Sequence, residues 1–230
     1  MKTIGLIGGM SWESTVPYYR QINETIKQQL GGLHSAKIVL YSMDFHEVER
    51  MQYAGDWDSA GRLLADAARS LRAAGADFLV LCTNTMHKVG PAIEAAVDIP
   101  LFHIADPTAQ AIKQAGYSKV GLLGTRFTME QDFYRNRLRE RHGLEVLIPG
   151  EADRELVHRI IYDELCLGQI VPGSREQYRR IMADMAEQGA QAIILGCTEI
   201  SLLVGQQDAT VPLFDTTAIH ARSAAQFALE

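Results

Sequence analysis

The sequence predicts an α/β protein of two similar domains, each a mostly parallel sheet flanked by helices, related by internal pseudo-two-fold symmetry. Two observations carry this. Short apolar runs bounded by glycine alternate with longer helical stretches along all 230 residues, the pattern of buried parallel strands between helices. Three segments also recur in order. Ile4-Gly5-Leu6-Ile7-Gly8 returns as Val120-Gly121-Leu122-Leu123-Gly124. Gly75-Ala76-Asp77-Phe78-Leu79-Val80-Leu81 returns as Gly189-Ala190-Gln191-Ala192-Ile193-Ile194-Leu195, and Ile99-Pro100-Leu101-Phe102 as Val211-Pro212-Leu213-Phe214. The separation is nearly constant and far longer than a solenoid period. The halves are assigned to 1–105 with a C-terminal helix 215–230, and to 106–214, each an ordinary domain size.

Each half reads as strand and helix in turn. In the first, strand 3–7 leads through Gly8-Gly9-Met10-Ser11 into a helix over Trp12–Leu30, with Pro17 tolerated in its opening turns. Strand 37–42 follows. A helix over 58–74 places Leu63, Leu64, Ala67, Ala68 and Leu71 on one face, and Gly75 ends it. Strand 78–81, a helix from about Met86 and strand 101–104 complete the half. The second half repeats this with strand 120–123, helix 129–141, strand 145–148, helices within 152–167 and 175–188, and strands 192–195 and 211–214.

Composition excludes several classes. At 47% hydrophobic and 22% charged the chain is neither disordered nor fibrous. A net charge of −6 without a basic cluster gives no surface for nucleic acid. No run approaches the roughly 20 apolar residues that span a bilayer, and the start is too short and glycine-broken for a signal peptide. The expected location is the cytoplasm, where Cys82, Cys166 and Cys197 remain thiols.

In open parallel sheets ligands bind beyond the carboxyl ends of strands. Four turns there stand out: Gly8-Gly9-Met10-Ser11, Gly124-Thr125-Arg126-Phe127-Thr128, Cys82-Thr83-Asn84-Thr85-Met86-His87 and Gly196-Cys197-Thr198-Glu199. Superposing Gly75 on Gly189 puts Thr83, not Cys82, opposite Cys197. If the halves face each other about a pseudo-two-fold axis, these two residues approach a ligand from opposite sides. That suits a reaction in which one face of a tetrahedral carbon loses a proton and the other gains one.

The segments Gly8-Gly9-Met10-Ser11-Trp12-Glu13-Ser14, Cys82-Thr83-Asn84-Thr85-Met86-His87 and Gly196-Cys197-Thr198-Glu199 resemble the aspartate/glutamate racemase family over the whole chain. The resemblance implies amino-acid racemisation without pyridoxal phosphate, two similar α/β domains with the active site in the cleft between them, and a homodimer. It implies a cysteine in each half, the first of which falls here at Thr83. Cys82 is one residue early and on the opposite face of an extended strand. Cys197 is then the expected base, its thiol lowered by a helix N-terminus, with Thr83 on the other face and the L enantiomer as the favoured starting form. An acidic amino acid is the expected substrate. Thr85, Thr125 and Thr198, with Asn84 and the turn N–H groups, would hold carboxylate; Glu199 would accept from the ammonium; Met10 would line the site. Aspartate racemases carry an arginine after the second strand and a lysine in the second half. Gln52 takes the first role here, and Cys166 or Leu167 occupies the second, weakening charge pairing to a side-chain carboxylate.

Plainer readings apply elsewhere. Cys82 and Cys166 read as packed, inert thiols, His87 and His103 as ordinary hydrogen-bonded histidines, and Trp12, Met51 and Trp57 as packing residues. Thr83, Asn84 and Thr85 also read as a helix cap. No grouping has metal-ligand spacing, and Gly5-Leu6-Ile7-Gly8-Gly9 lacks the dinucleotide-loop order. Two other functions fit the same residues: a cysteine-dependent decarboxylase or cis–trans isomerase of a small dicarboxylate, and a small-molecule binding module without catalysis.

Overall fold

A computed structural model describes residues 1–230 and divides into two compact units, Met1–Ile104 with His220–Glu230, and Ala105–Ile219. The switch between units falls inside the last helix.

In the first unit β1 (Ile4–Gly8), β2 (Ile38–Ser42), β3 (Phe78–Leu81) and β4 (Leu101–Phe102) form a parallel sheet of order β2-β1-β3-β4. The central strands β1 and β3 are buried throughout, which is why both read as unbroken apolar runs. Alternation divides them between two cores. Phe78, Val80 and Cys82 pack with Tyr18 and Ile22 of α1 (Trp12–Leu30) and with Ala221, Ala224, Ala225 and Ala228. Leu79 and Leu81 pack with Leu64, Ala67, Ala68 and Leu71 of α3 (Trp57–Ala73).

Two helices here were not evident from periodicity or differ from the expectation. α2 (Phe45–Ala54) precedes α3, capped by Asp44 and ended by Gly55 in the left-handed region; only Val48 and Gln52 are buried, too few to print a stripe. The helix expected from Met86 begins as a 3-10 turn, Thr85–Val89, before α4 (Gly90–Ala96). Trp12, read as a packing residue, is 63% exposed.

The second unit starts with α5 (Ala105–Gln114), another helix absent from the sequence reading. Its sheet, β5 (Lys119–Gly124), β6 (Glu145–Leu147), β7 (Ala192–Gly196) and β8 (Leu213–Asp215), has order β6-β5-β7-β8, the same topology as the first. The expected helix 129–141 is instead α6 (Arg126–Glu130), α7 (Asp132–Asn136) and a π turn, Arg137–Arg141, broken at Gln131, whose backbone is extended. α8 (Glu151–Asp163) and α9 (Pro172–Glu187) cover one face of the sheet, packing Val157, Ile161, Tyr178 and Ile181 on Leu123, Ile193 and Leu195. A four-residue α10 (Ile200–Leu203) follows β7, and α11 (Thr216–Leu229) ends the chain. No helix is long and apolar enough to cross a membrane.

Candidate active site

The register of β5 on β7 sets the second-unit site. Gly124 pairs with Gly196 at the last rung. A Cβ on Gly124 would stand 2.7 Å from the Gly196 carbonyl, and one on Gly196 2.9 Å from the Leu123 carbonyl, so only glycines allow this approach. The chain beyond Gly196 then presents Cys197, Thr198 and Glu199.

Cys197 is 8% exposed and Glu199 2%. The Cys197 thiol donates to Glu199 Oε2 at 2.9 Å, the Thr198 hydroxyl donates to the same oxygen at 2.7 Å, and the Cys166 thiol donates to Oε1 at 3.8 Å. Glu199 therefore accepts on both oxygens. Expected to accept from a substrate ammonium, Glu199 accepts first from two thiols. Cys166, read as inert, is half-buried in the 3-10 turn after α8 with its sulfur on the same carboxylate. No sequence periodicity marks it, because it sits just past a helix end.

Burial, and then the Glu199 charge, push the Cys197 thiol well above the usual thiol range. This corrects the expected lowering by a helix N-terminus: α10 is one short turn, and desolvation beside a carboxylate outweighs it. Tyr178 Oη, fully buried in the same core cluster, and Glu164 Oε2 have no hydrogen-bond partner, so the space behind Cys197 is polar but incompletely satisfied. Burial also raises the Tyr178 phenol, with the charges of Cys197 and Glu164 adding to it. Thr125 caps α6, its Oγ1 accepting from Thr128 N–H at 3.3 Å.

In the first unit Thr83 follows β3 and is nearly buried. Its hydroxyl makes no hydrogen bond, whereas its carbonyl accepts from His87 Nδ1 at 2.8 Å. Ile104 N–H donates to His87 Nε2 at 3.3 Å, so His87 is the neutral Nδ1–H tautomer and fixes the Thr83 backbone. Asn84 and Thr85 are buried beside it, but Asn84 does not cap the 3-10 turn with its side chain. Gln52, buried on α2, donates from Nε2 to Met86 Sδ at 3.0 Å. Met10 shares a core cluster with Leu81 and Met86. Gly9, at φ 86°, lets the turn after β1 pass against the Met43 backbone, where a Cβ would collide. Cys82 is packed in the opposite core, where burial alone pushes its thiol far up. A concavity of about 740 Å³ lies along the outer face of α2, around Arg50 and Tyr53, and includes none of these residues.

What the second unit assembles is a buried thiol with a carboxylate placed to take its proton, a combination suited to moving protons at carbon. The family model described as Asp/Glu/Hydantoin racemase matches residues 7–224. A crystal structure from Yersinia pestis, provisionally assigned as an Asp/Glu racemase, is 64% identical over the whole of both chains, with a TM-score of 0.93. An aspartate racemase homologue from Pyrococcus horikoshii OT3 is 36% identical over the whole of both chains, with a TM-score of 0.85. The broad specificity amino-acid racemase RacX of Bacillus subtilis is 26% identical over 226 residues, covering 96% of this chain and 95% of RacX. With nearly its whole length matched by that family model, the chain belongs to the Asp/Glu/hydantoin racemase family.

Proposed function

We propose that the protein racemises an acidic amino acid, L-aspartate or L-glutamate, by exchanging the Cα proton without pyridoxal phosphate, and that it favours the L-to-D direction. The observation that carries this reading is the buried contact between the Cys197 thiol and Glu199, with a threonine at the repeat-equivalent strand end. The thiol passes its proton to Glu199, so the pair keeps one negative charge and the sulfur becomes a base. The thiolate then takes the Cα proton of the L form. The carbanion is protonated on its other face, where the Thr83 hydroxyl relays a proton from water and is itself restored. Glu199 then gives up its proton to the hydroxide left by that relay, which returns the pair to thiol and carboxylate. A hydroxyl, unlike a thiol, has no ionised form near neutral pH, so Thr83 offers no resident base to a D substrate. The D form is then the slower starting point at saturation, with its KM lower in proportion, because enantiomers of equal free energy require equal kcat/KM. Thr85, Thr125 and Asn84 hold carboxylate, while Met10 and Gln52 line the substrate; Thr198, its hydroxyl committed to Glu199, joins them through its backbone N–H. The reading includes a cytoplasmic homodimer, which light scattering would report as twice the 25.5 kDa chain.

Chiral chromatography of products from cofactor-free protein tests the directionality. At saturating substrate wild type turns over L-glutamate or L-aspartate faster than the D form, and Thr83→Cys raises the D-to-L kcat at least tenfold. Equal rates from both enantiomers, unaltered by Thr83→Cys, would remove Thr83 from the mechanism.

A further inference from the structure

The acidic substrate of the proposed reaction carries a second carboxylate, for which Gln52 and Cys166 or Leu167 offer no cation. The eight strand-end turns, each taken with the first helical residue after it, contain one lysine or arginine between them: Arg126. It stands two residues beyond Gly124, whose register partner Gly196 immediately precedes Cys197. Adjacent strands lie about 4.8 Å apart, a gap that an extended arginine exceeds.

The local structure leaves this cation available. Its backbone N–H donates to His158 Nδ1 at 3.2 Å, but its guanidinium has no hydrogen bond or ion pair and the residue is exposed. Several other arginines of the unit are paired: Arg137 with Asp106, Arg154 with Glu130, Arg175 with Asp208 and Arg180 with Asp153. Arg141 and Arg159 are unpaired like Arg126, but they stand within helical segments and not at a strand end. Glu130, on the same short helix as Arg126, is thus already paired. His158, beside it against Phe127 and Tyr162, is held toward its neutral form by burial and then by the Arg126 charge, so it adds no second positive charge there.

We infer that Arg126 is the specificity residue that pairs with the side-chain carboxylate of the substrate. The inference rests on the racemase reading and deepens it by naming a partner for the second acid group. A planar guanidinium takes a carboxylate on two parallel N–H bonds, which selects aspartate and glutamate over neutral amino acids of similar size.

The test is the ratio of kcat/KM for L-glutamate or L-aspartate to that for neutral L-amino acids such as methionine and serine, in wild type, Arg126→Gln and Arg126→Lys. Arg126→Gln is expected to reduce the ratio at least tenfold, with the loss in KM for the acidic substrate, and Arg126→Lys to restore part of it. A ratio that stays within twofold of wild type overturns the inference and leaves the racemase reading standing. A wild type that racemises only neutral amino acids overturns the inference together with the acidic substrate of that reading. A wild type that exchanges no amino acid at Cα removes both.

Discussion

At the scale of single residues, the account turns on who holds the proton of Cys197. Glu199 raises the thiol by its charge and accepts the proton by its position, and these two effects respond oppositely to neutralisation. Glu199→Gln removes the negative neighbour, so the thiol ionises at lower pH and iodoacetamide alkylates Cys197 several-fold faster at pH 8. The same change removes the proton acceptor, so racemisation falls about 10²-fold, as for loss of a general base. Alkylation and racemisation slowing together would mean that Glu199 only supports the local structure. The equivalent positions of Cys197 and Thr83 beyond their strands are legible in the sequence because the repeat sets them there. The role of Glu199 as partner of the thiol is not, since residues adjacent in sequence reveal nothing about side-chain direction beyond a strand end. Cys166 was missed for a related reason: its contact with Glu199 is made across the fold, between segments far apart in the chain.

At the scale of elements, what reads clearly is what is buried on both sides. β1, β3, β5 and β7 carry unbroken apolar runs and were placed within a residue or two, because their burial leaves no polar face. α2 and α5 bury little or are short, so no stripe announces them, and their signals are the Asp44 and Gly55 caps and the Asp106-Pro107 start. α11 shows a different constraint. Ala221, Ala224, Ala225 and Ala228 are fully buried against a sheet face that carries Ile4, Leu6 and Phe78, with the Phe78 and Phe227 rings edge to face at 4.9 Å. Only small side chains let that helix sit so close. Ala225→Leu overpacks the contact and should lower stability by about 1–3 kcal/mol, the usual cost of added methylenes in a filled core, read from urea unfolding. A variant as stable as wild type would show that this face has room.

At the scale of the whole molecule, the internal repeat is the feature that survives from sequence to fold. Both sheets have the same strand order, and the two candidate side chains follow the same third strand in each, β3 for Thr83 and β7 for Cys197. Duplicated topology delivers two equivalent strand ends, and the sequence then makes them chemically different, a threonine in one and a thiol with its own carboxylate in the other. The most direct test of this assignment is Cα–H exchange followed by proton NMR of L-glutamate or L-aspartate in deuterated water, with cofactor-free wild type and Cys197→Ala. Deuterium is expected to enter Cα with wild type and not above the uncatalysed rate with Cys197→Ala; exchange persisting undiminished in Cys197→Ala would contradict the thiol's role as base.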